Sequence, residues 1–226
     1  MSGIHRHFHD ELNHLKVRLL TMSGEAEAAL GLAVEALLQR DAVKASDVIA
    51  GDHAIDALEN EIEESCIQLI ALQQPVARDL RLLAAALKIA SDLERVGDHA
   101  VNIAQSVERL AQARPITPEP ELIEMARQAR EMLADALEAF VREDGAAGRA
   151  VCLRDDRVDE LHRTIYALLV KQMAADPQSI AAGMELFLVS RNLERVADLA
   201  TNIGEDVVFI VEGKSIKHHA EEFAEG

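Results

Sequence analysis

Apolar residues recur at helical spacing along the whole chain, and this pattern predicts six helices. From Phe8 the apolar positions alternate steps of four and three, which is typical of a long helix in a bundle. This first seam consists of Phe8, Leu12, Leu15, Leu19, Met22, Ala26, Ala29 and Ala33. The seam of the second helix consists of Val48, Ile55, Leu58, Ile62, Leu69 and Leu72. Breaker residues and apolar periodicity place the other helices at roughly 44–72, 75–113, 119–142, 147–174 and 179–212.

The second half of the chain repeats the first. Apolar positions of the third predicted helix recur in the sixth at an offset of 100, and those of the second recur in the fifth at an offset of 103. Three of the five prolines fall in "ARPITPEPE", the only convincing linker in the sequence. The sequence therefore predicts an all-α fold of two tandem antiparallel three-helix bundles, with domains at 1–115 and 116–226.

The composition of the chain excludes several classes of function. The 226 residues hold 23 Lys and Arg against 40 Asp and Glu, for a net charge of −17, which argues against nucleic acid and against anionic membrane surfaces as partners. No apolar run approaches the roughly 18 residues of a membrane span, and the N-terminus does not resemble a signal peptide, so a soluble cytoplasmic protein is expected.

Cys66 and Cys152 are expected to be buried helix cysteines. No nucleophile and base can be paired, so the chain is not expected to be an enzyme.

One charged cluster occurs twice, in "DLERVGDHAVNIA" from Asp92 and in "NLERVADLATNIG" from Asn192. Each copy carries Glu, Asp and Asn at i, i+4 and i+8, which forms one polar stripe on a helix. The stripes consist of Glu94, Asp98 and Asn102, and of Glu194, Asp198 and Asn202. Each stripe lies nearly opposite the apolar seam of its helix, so a solvated helix face is the simplest interpretation.

The preceding helix of each half carries an acidic row of its own. The first row consists of Asp52, Asp56, Glu59 and Glu63, and the second of Asp155 and Asp159 followed by His162. Two carboxylate rows on adjacent helices repel unless a positive charge lies between them, and their oxygens suit Mg²⁺, Mn²⁺, Ca²⁺ or Fe. An open, surface-facing metal site is one hypothesis, and direct neutralisation by Arg95 and Arg195 is the alternative. No basic cluster that could hold phosphate is visible in the sequence.

The motifs resemble those of the PhoU family, bacterial regulators that accompany the phosphate importer. The resemblance rests on "PVARDLRLLAAALKIASDLERVGDHAVNIA", on its counterpart "GMELFLVSRNLERVADLATNIGEDVVFIVEG", and on the opening helix "FHDELNHLKVRLLTMSGEAEAAL". It implies a cytoplasmic, non-enzymatic negative regulator of phosphate uptake and of the phosphate-starvation (Pho) response. The implied partners are the ATPase subunit of the phosphate ABC transporter and the sensor histidine kinase of that response.

The resemblance also implies metal binding, because some family members hold metal through paired (E/D)-x-x-x-D motifs. The identity of the metal stays open among Fe, Zn, Mn, Mg and Ca. The residues of this sequence that match those motifs, with the two asparagines that extend the rows, are Asp52, Asp56, Glu94, Asp98, Asn102, Asp155, Asp159, Glu194, Asp198 and Asn202.

Two other functions compete with an adaptor. A metal-storage or metal-sensing protein would use the carboxylates as its primary function and would respond to metal rather than to phosphate. A dimerising structural protein would use the apolar first helix for self-association and leave the carboxylates idle. A homodimer is expected in either the adaptor or the structural hypothesis.

Overall fold

The computed structural model describes the backbone of residues 2–216 and the side chains of residues 8–216, and this part of the chain forms eight helices without a strand. A single turn of 3-10 helix, Pro177–Ser179, precedes the last helix. The eight helices are α1 Ser2–Gln39, α2 Ala42–Gly51, α3 His53–Gln73, α4 Ala77–Gln112, α5 Pro120–Arg142, α6 Gly145–Cys152, α7 Asp155–Ala175 and α8 Ile180–Glu212.

The prediction of six helices was wrong at two equivalent places. The second predicted helix is divided at Asp52 into α2 and α3, directly after the poor helix former Gly51. The fifth is divided at Leu153 and Arg154, whose ψ angles are −8° and −12°. There the Arg154 amide donates to the Val151 carbonyl, three residues back, as in a 3-10 turn rather than an α-helix. Both breaks keep helical handedness, so the apolar seam continues through them and the periodicity does not reveal them.

Helix ends follow local sequence signals, one of which the two halves share. Asp41 and Asp144 each accept hydrogen bonds from the second and third amides of the helix that follows, α2 and α6 respectively. Pro120 occupies the first turn of α5, where its missing amide is not needed. Gly213 ends α8 in the left-handed conformation, with φ of 71°. The matching caps of α2 and α6, formed by Asp41 and Asp144, support the internal duplication.

The predicted seams of α4 and α8 are fully buried and lie at the centre of one connected core. These residues are Ile89, Leu93, Val96, Ala100, Ile103, Val107 and Leu110 of α4, and Val189, Leu193, Val196, Ala200, Ile203, Val207 and Ile210 of α8. The prediction for Leu72 was wrong, since this side chain is 77% exposed in the last turn of α3. In each half the first helix packs against the others, α1 against α2 to α4 and α5 against α6 to α8.

The two bundles join through α4 and α8, which cross in antiparallel directions. Lys88 lies 3.2 Å from Asp206, His99 lies 2.9 Å from Asn192, and Arg109 lies 2.9 Å from Glu185, so partner numbers fall along α8 as they rise along α4. The architecture of two tandem three-helix bundles is confirmed, with the second helix of each broken in two. The predicted domain boundary at 115/116 falls between α4 and α5 and stays a prediction. Across residues 2–216, no helix is both long and apolar enough to cross a membrane.

Candidate metal centres

The first candidate site lies where the break between α2 and α3 meets α4. Asp52 is the single residue at that break, and one of its carboxylate oxygens lies 3.2 Å from the position that a Cβ on Gly97 would occupy. The side chain of Ile55 lies still closer, at 2.9 Å from the same position. The absence of a side chain at Gly97 therefore lets the acidic row of α3 approach the acidic stripe of α4.

The carboxylates of this region influence one another. Five of them form what we call the α3–α4 carboxylate cluster: Asp52, Asp56, Glu59, Glu94 and Asp98. Partial burial, followed by repulsion from the other four carboxylates, first of all Asp98, raises the pKa of Glu94 to about 6. Burial and then Asp56 and Asp98 also raise the pKa of Asp52. The cluster thus holds negative charge that the surrounding protein does not fully compensate.

The equivalent site of the second half is formed by four residues, which we call the α7–α8 carboxylate cluster: Asp155, Asp159, Glu194 and Asp198. Asp155 opens α7 directly after the second helix break. Burial, followed by repulsion from Asp198 and Asp159, raises the pKa of Asp155 to about 6. Burial and Asp198 raise the pKa of Glu194 in the same direction. The structure therefore brings together the carboxylates that the sequence paired in each half.

Arginine compensates the two clusters unequally. Arg195 lies 2.9 Å from Asp198 and 3.4 Å from Glu194, so the neutralisation that the sequence offered as an alternative occurs in the second half. Arg95 instead pairs with Asp92 at 3.6 Å, outside the α3–α4 carboxylate cluster. The cation found nearest to that cluster is His53, 3.8 Å from Asp56 and charged only when protonated. Within residues 8–216, the first cluster therefore has no arginine among its ion pairs.

The donor set of each cluster fits a hard or borderline cation. Its oxygens come from two adjacent helices whose backbones are fixed by the core, and the raised pKa values indicate unsatisfied negative charge. Nevertheless, within residues 8–216 no three His, Cys, Asp or Glu side chains are gathered tightly enough to hold an ion as they stand. Binding would require the flexible Asp and Glu side chains to rotate towards a shared point. The ten predicted ligands stay a prediction.

The asparagines of the two stripes are not bonded to the carboxylates in the described part of the chain, since no hydrogen bond joins Asn102 or Asn202 to either cluster. Asn102 instead lines a groove between α4 and α8. Two other groups lie nearer: the Ser91 hydroxyl hydrogen-bonds Glu59, and His162 lies close to Glu194. Nδ1 of His162 is buried and has no hydrogen-bond partner in the described part of the chain. The i+3 spacing of His162 from Asp159 in the sequence was the signal that could have added this residue to the candidate site.

Replacing Glu94 with glutamine is expected to stabilise the metal-free protein at pH 7. The folded-state pKa of about 6 exceeds the ordinary 4.5, so the folded state binds the extra proton between these values. The free energy of unfolding of the native protein therefore falls as pH rises from about 4.5 to 6. Because Glu94 is partly exposed, we expect a gain of roughly 0.5–1 kcal/mol from Glu94→Gln, measured by urea unfolding in chelator. The gain should vanish below pH 4.5, where both states are protonated.

Saturating metal should reverse the sign of this effect, because the same substitution would then remove a ligand oxygen. Glu108→Gln is the matched control, on the same helix but outside the cluster. A variant with Glu94→Gln that behaves like Glu108→Gln with and without metal would contradict both the repulsion and the ligand role.

Neither cysteine is placed for chemistry. Cys66 and Cys152 are both buried and free, as the sequence predicted. Burial raises the pKa of Cys66 to about 12 and that of Cys152 to about 11, which keeps both thiols protonated and unreactive at neutral pH.

Comparison with known proteins gives the same family for both halves. The model of the PhoU domain matches twice, at residues 19–107 and 122–207. A protein of Caulobacter vibrioides named "Phosphate-specific transport system accessory protein PhoU homolog" is 39% identical over 92% of this chain and 90% of its own length. The homologue of the same name from Aquifex aeolicus is 38% identical over 92% of this chain and 94% of its own.

Solved structures agree with the sequence matches. The crystal structure of PhoU from Pseudomonas aeruginosa superposes with a TM-score of 0.88 at 34% identity and covers 92% of this chain and 100% of that one. The structure of the phosphate transport system regulatory protein PhoU from Streptococcus pneumoniae superposes with a TM-score of 0.85 at 30% identity, covering 92% and 98%. With its two matched domains, its duplicated helical bundles and its paired carboxylate rows, the chain belongs to the PhoU family.

Proposed function

We propose that this chain is a cytoplasmic, non-enzymatic negative regulator of phosphate uptake and of the phosphate-starvation two-component response. It acts as an adaptor between the ATPase subunit of the phosphate ABC transporter and the sensor histidine kinase. The observation that carries the proposal is family membership over both halves of the chain. Relatives that cover nine-tenths of this chain bear the name of a phosphate-specific transport accessory protein, and one structural neighbour is titled a regulatory protein of that system.

The surface chemistry supports docking rather than catalysis. The two carboxylate clusters lie on partly exposed helix faces, one in each half, and the chain as a whole carries a charge of −17. Acidic surfaces of this kind attract basic surfaces of other proteins and speed their association. A duplicated chain also offers two similar faces, which suits a protein that contacts two partners.

Metal binding at the clusters is part of the proposal. The residues that would hold a cation are Asp52, Asp56, Glu94 and Asp98 in the first half, with Asp155, Asp159, Glu194 and Asp198 in the second. A bound cation would neutralise the facing carboxylates and tie α3 to α4 and α7 to α8. A homodimer is also proposed, supported by exposed apolar side chains on α1, among them Val17, Leu20, Leu32 and Leu38.

Metal storage or sensing is the second candidate function. The specific observation that favours it is the uncompensated charge of the α3–α4 carboxylate cluster, in which the pKa of Glu94 is raised to about 6. This candidate requires tight, stoichiometric metal and a response to metal supply without any dependence on phosphate.

Titration of the fluorescently labelled chain with the purified ATPase subunit, and separately with the cytoplasmic part of the kinase, tests the adaptor role. Saturable binding to at least one of them is expected. The charge-swapped variant Asp98→Lys/Asp198→Lys should bind roughly 10-fold or more weakly, because each change places a cation on a face that docks by its negative charge.

The matched control is Glu25→Lys/Asp47→Lys, which makes the same change in net charge at exposed acids outside the clusters. Equal weakening by both variants would reduce the effect to net charge and contradict docking through the clusters.

A further inference from the structure

A groove between α4 and α8 gathers positive charge on this acidic protein. It has a cavity volume of about 360 Å³, within the usual range of small-molecule sites. Four arginines line it, Arg95 and Arg109 from α4 and Arg191 and Arg195 from α8. His99 lines it as well, but burial lowers the pKa of this imidazole and so favours its neutral form. No carboxylate is among its lining residues within the described part of the chain. We call it the basic groove.

The arginines of the basic groove are held in place but keep donors to spare. Nε of Arg109 lies 2.9 Å from Glu185, and one of its terminal nitrogens donates to the Ser106 hydroxyl at 3.2 Å. Arg195 is held by Asp198 at 2.9 Å. A guanidinium has five N–H donors, so each of these side chains retains several after its ion pair is made. Neither of the two carboxylates is among the lining residues of the groove.

Arg191 differs from its neighbours. It is exposed, it lines the basic groove, and within residues 8–216 it makes no hydrogen bond or ion pair. Asn102, on the opposite wall, also makes no side-chain hydrogen bond among the described residues. One guanidinium and one amide therefore face the same groove with their donors uncommitted.

The duplication provides an internal comparison. At an offset of 100, the residues that correspond to His99, Arg109 and Arg191 are Leu199, Phe209 and Ser91. In the antiparallel pair these counterparts belong to the other end of the crossing, where Lys88 pairs with the buried Asp206 at 3.2 Å. That end therefore lacks counterparts of three of the basic residues, while Arg95 and Arg195 occupy equivalent positions in the two halves.

We propose that the basic groove binds a phosphate-class oxyanion, either inorganic phosphate or the phosphate group of a small metabolite. Arginine forks match the geometry of phosphate oxygens and form two parallel hydrogen bonds with them, and the Asn102 amide adds a neutral donor. At physiological salt the Debye length is about 8 Å, so exposed carboxylates farther than this from the groove are largely screened from an anion in it. Glu185 and Asp198 lie closer and offset part of the charge of Arg109 and Arg195, which leaves Arg191 as the uncompensated guanidinium of the groove within residues 8–216. This inference goes beyond the regulatory proposal and does not depend on it.

Equilibrium dialysis of the full chain against radiolabelled inorganic phosphate tests the proposal. The buffer contains chelator, so that metal cannot bridge phosphate to the carboxylate clusters, and ionic strength is held constant with chloride. We expect one saturable site per chain and a loss of affinity of roughly 10-fold or more in Arg191→Gln, because a charge-assisted, bidentate contact is removed. Arg191→Lys should recover part of the affinity.

Arg142→Gln is the matched control, since it removes one exposed arginine of α5 outside the basic groove. It should change affinity by less than about 2-fold. Competition by AMP and ADP distinguishes the two sources. If either nucleotide displaces labelled phosphate at a lower concentration than unlabelled phosphate does, the groove is assigned to a phosphorylated metabolite. If the nucleotides displace it less effectively, the groove is assigned to inorganic phosphate. If neither phosphate nor nucleotide saturates, or if Arg191→Gln and Arg142→Gln behave alike, the proposal is overturned.

Discussion

Native protein purified without chelator or affinity tag is expected to contain metal, and protein with both Asp98 and Asp198 replaced by alanine is expected to lack it. Each aspartate repels a facing carboxylate across its cluster, Asp52 in the first half and Asp155 in the second. A side chain in that position is well placed to share an ion with the facing group. Because the substitution removes a ligand rather than a group that supports one, we expect affinity at each site to fall by more than about 100-fold.

Element-resolved mass spectrometry of the two proteins, side by side, measures this loss. The exposed pair Glu25→Ala/Asp47→Ala is the control and should keep its metal. Metal retained by Asp98→Ala/Asp198→Ala would contradict the ligand assignment. Metal absent from the native protein as well would leave the repeated stripes as docking or solvated faces, and it would exclude metal storage as the main function.

Gly204→Ala is expected to lower the free energy of unfolding by about 2 kcal/mol or more, through overpacking of backbone against backbone. A Cβ at Gly204 would lie 2.7 Å from the carbonyl oxygen of Gly148, and one at Gly148 would lie 2.7 Å from the carbonyl oxygen of Gly204. Helices α6 and α8 must therefore separate to admit a methyl group, although both belong to the buried part of the second bundle.

Urea unfolding measures the loss. Gly24→Ala is the matched control, because nothing lies within 4 Å of a Cβ built on this α1 residue. It should stabilise the protein by about 0.5–1 kcal/mol through helix propensity. If Gly204→Ala proves as stable as Gly24→Ala, then α6 and α8 do not meet as closely as described.

The glycine contact shows what the sequence could not provide about the fold. Periodicity identified the buried seams of α4 and α8, because core burial imposes it on every turn of a bundle helix. It gave no sign of the Gly148–Gly204 approach, since the first half packs the equivalent helices with Ala45 and Ala104 instead. The helix breaks at Asp52 and Leu153 were missed for a related reason, because a kink that keeps the handedness leaves the seam in register.

The candidate site was easier to predict than its surroundings. Carboxylates at i and i+4 share one face of their own helix, so spacing predicted the separate acidic rows. The pairing of Asp52 with Asp98 and of Asp155 with Asp198 was implied by the resemblance to the PhoU family. The same i+4 spacing added Asn102 to the predicted ligands, whereas the structure places Asn102 in the lining of the basic groove.

The basic groove itself was hidden, because its charges lie on two helices that only the antiparallel crossing brings together. The usable signal was the set of positions at which the two halves differ, above all Arg191 against Ser91 and Arg109 against Phe209.

Titration of the wild-type chain with the transporter's ATPase subunit and with the kinase decides whether the chain is the adaptor that we propose. The titration is run with and without metal, and with and without nucleotide. Saturable binding to at least one partner is expected, and it should weaken as ionic strength rises because the proposed docking faces are acidic. The absence of binding to both partners under all of these conditions would contradict the adaptor role.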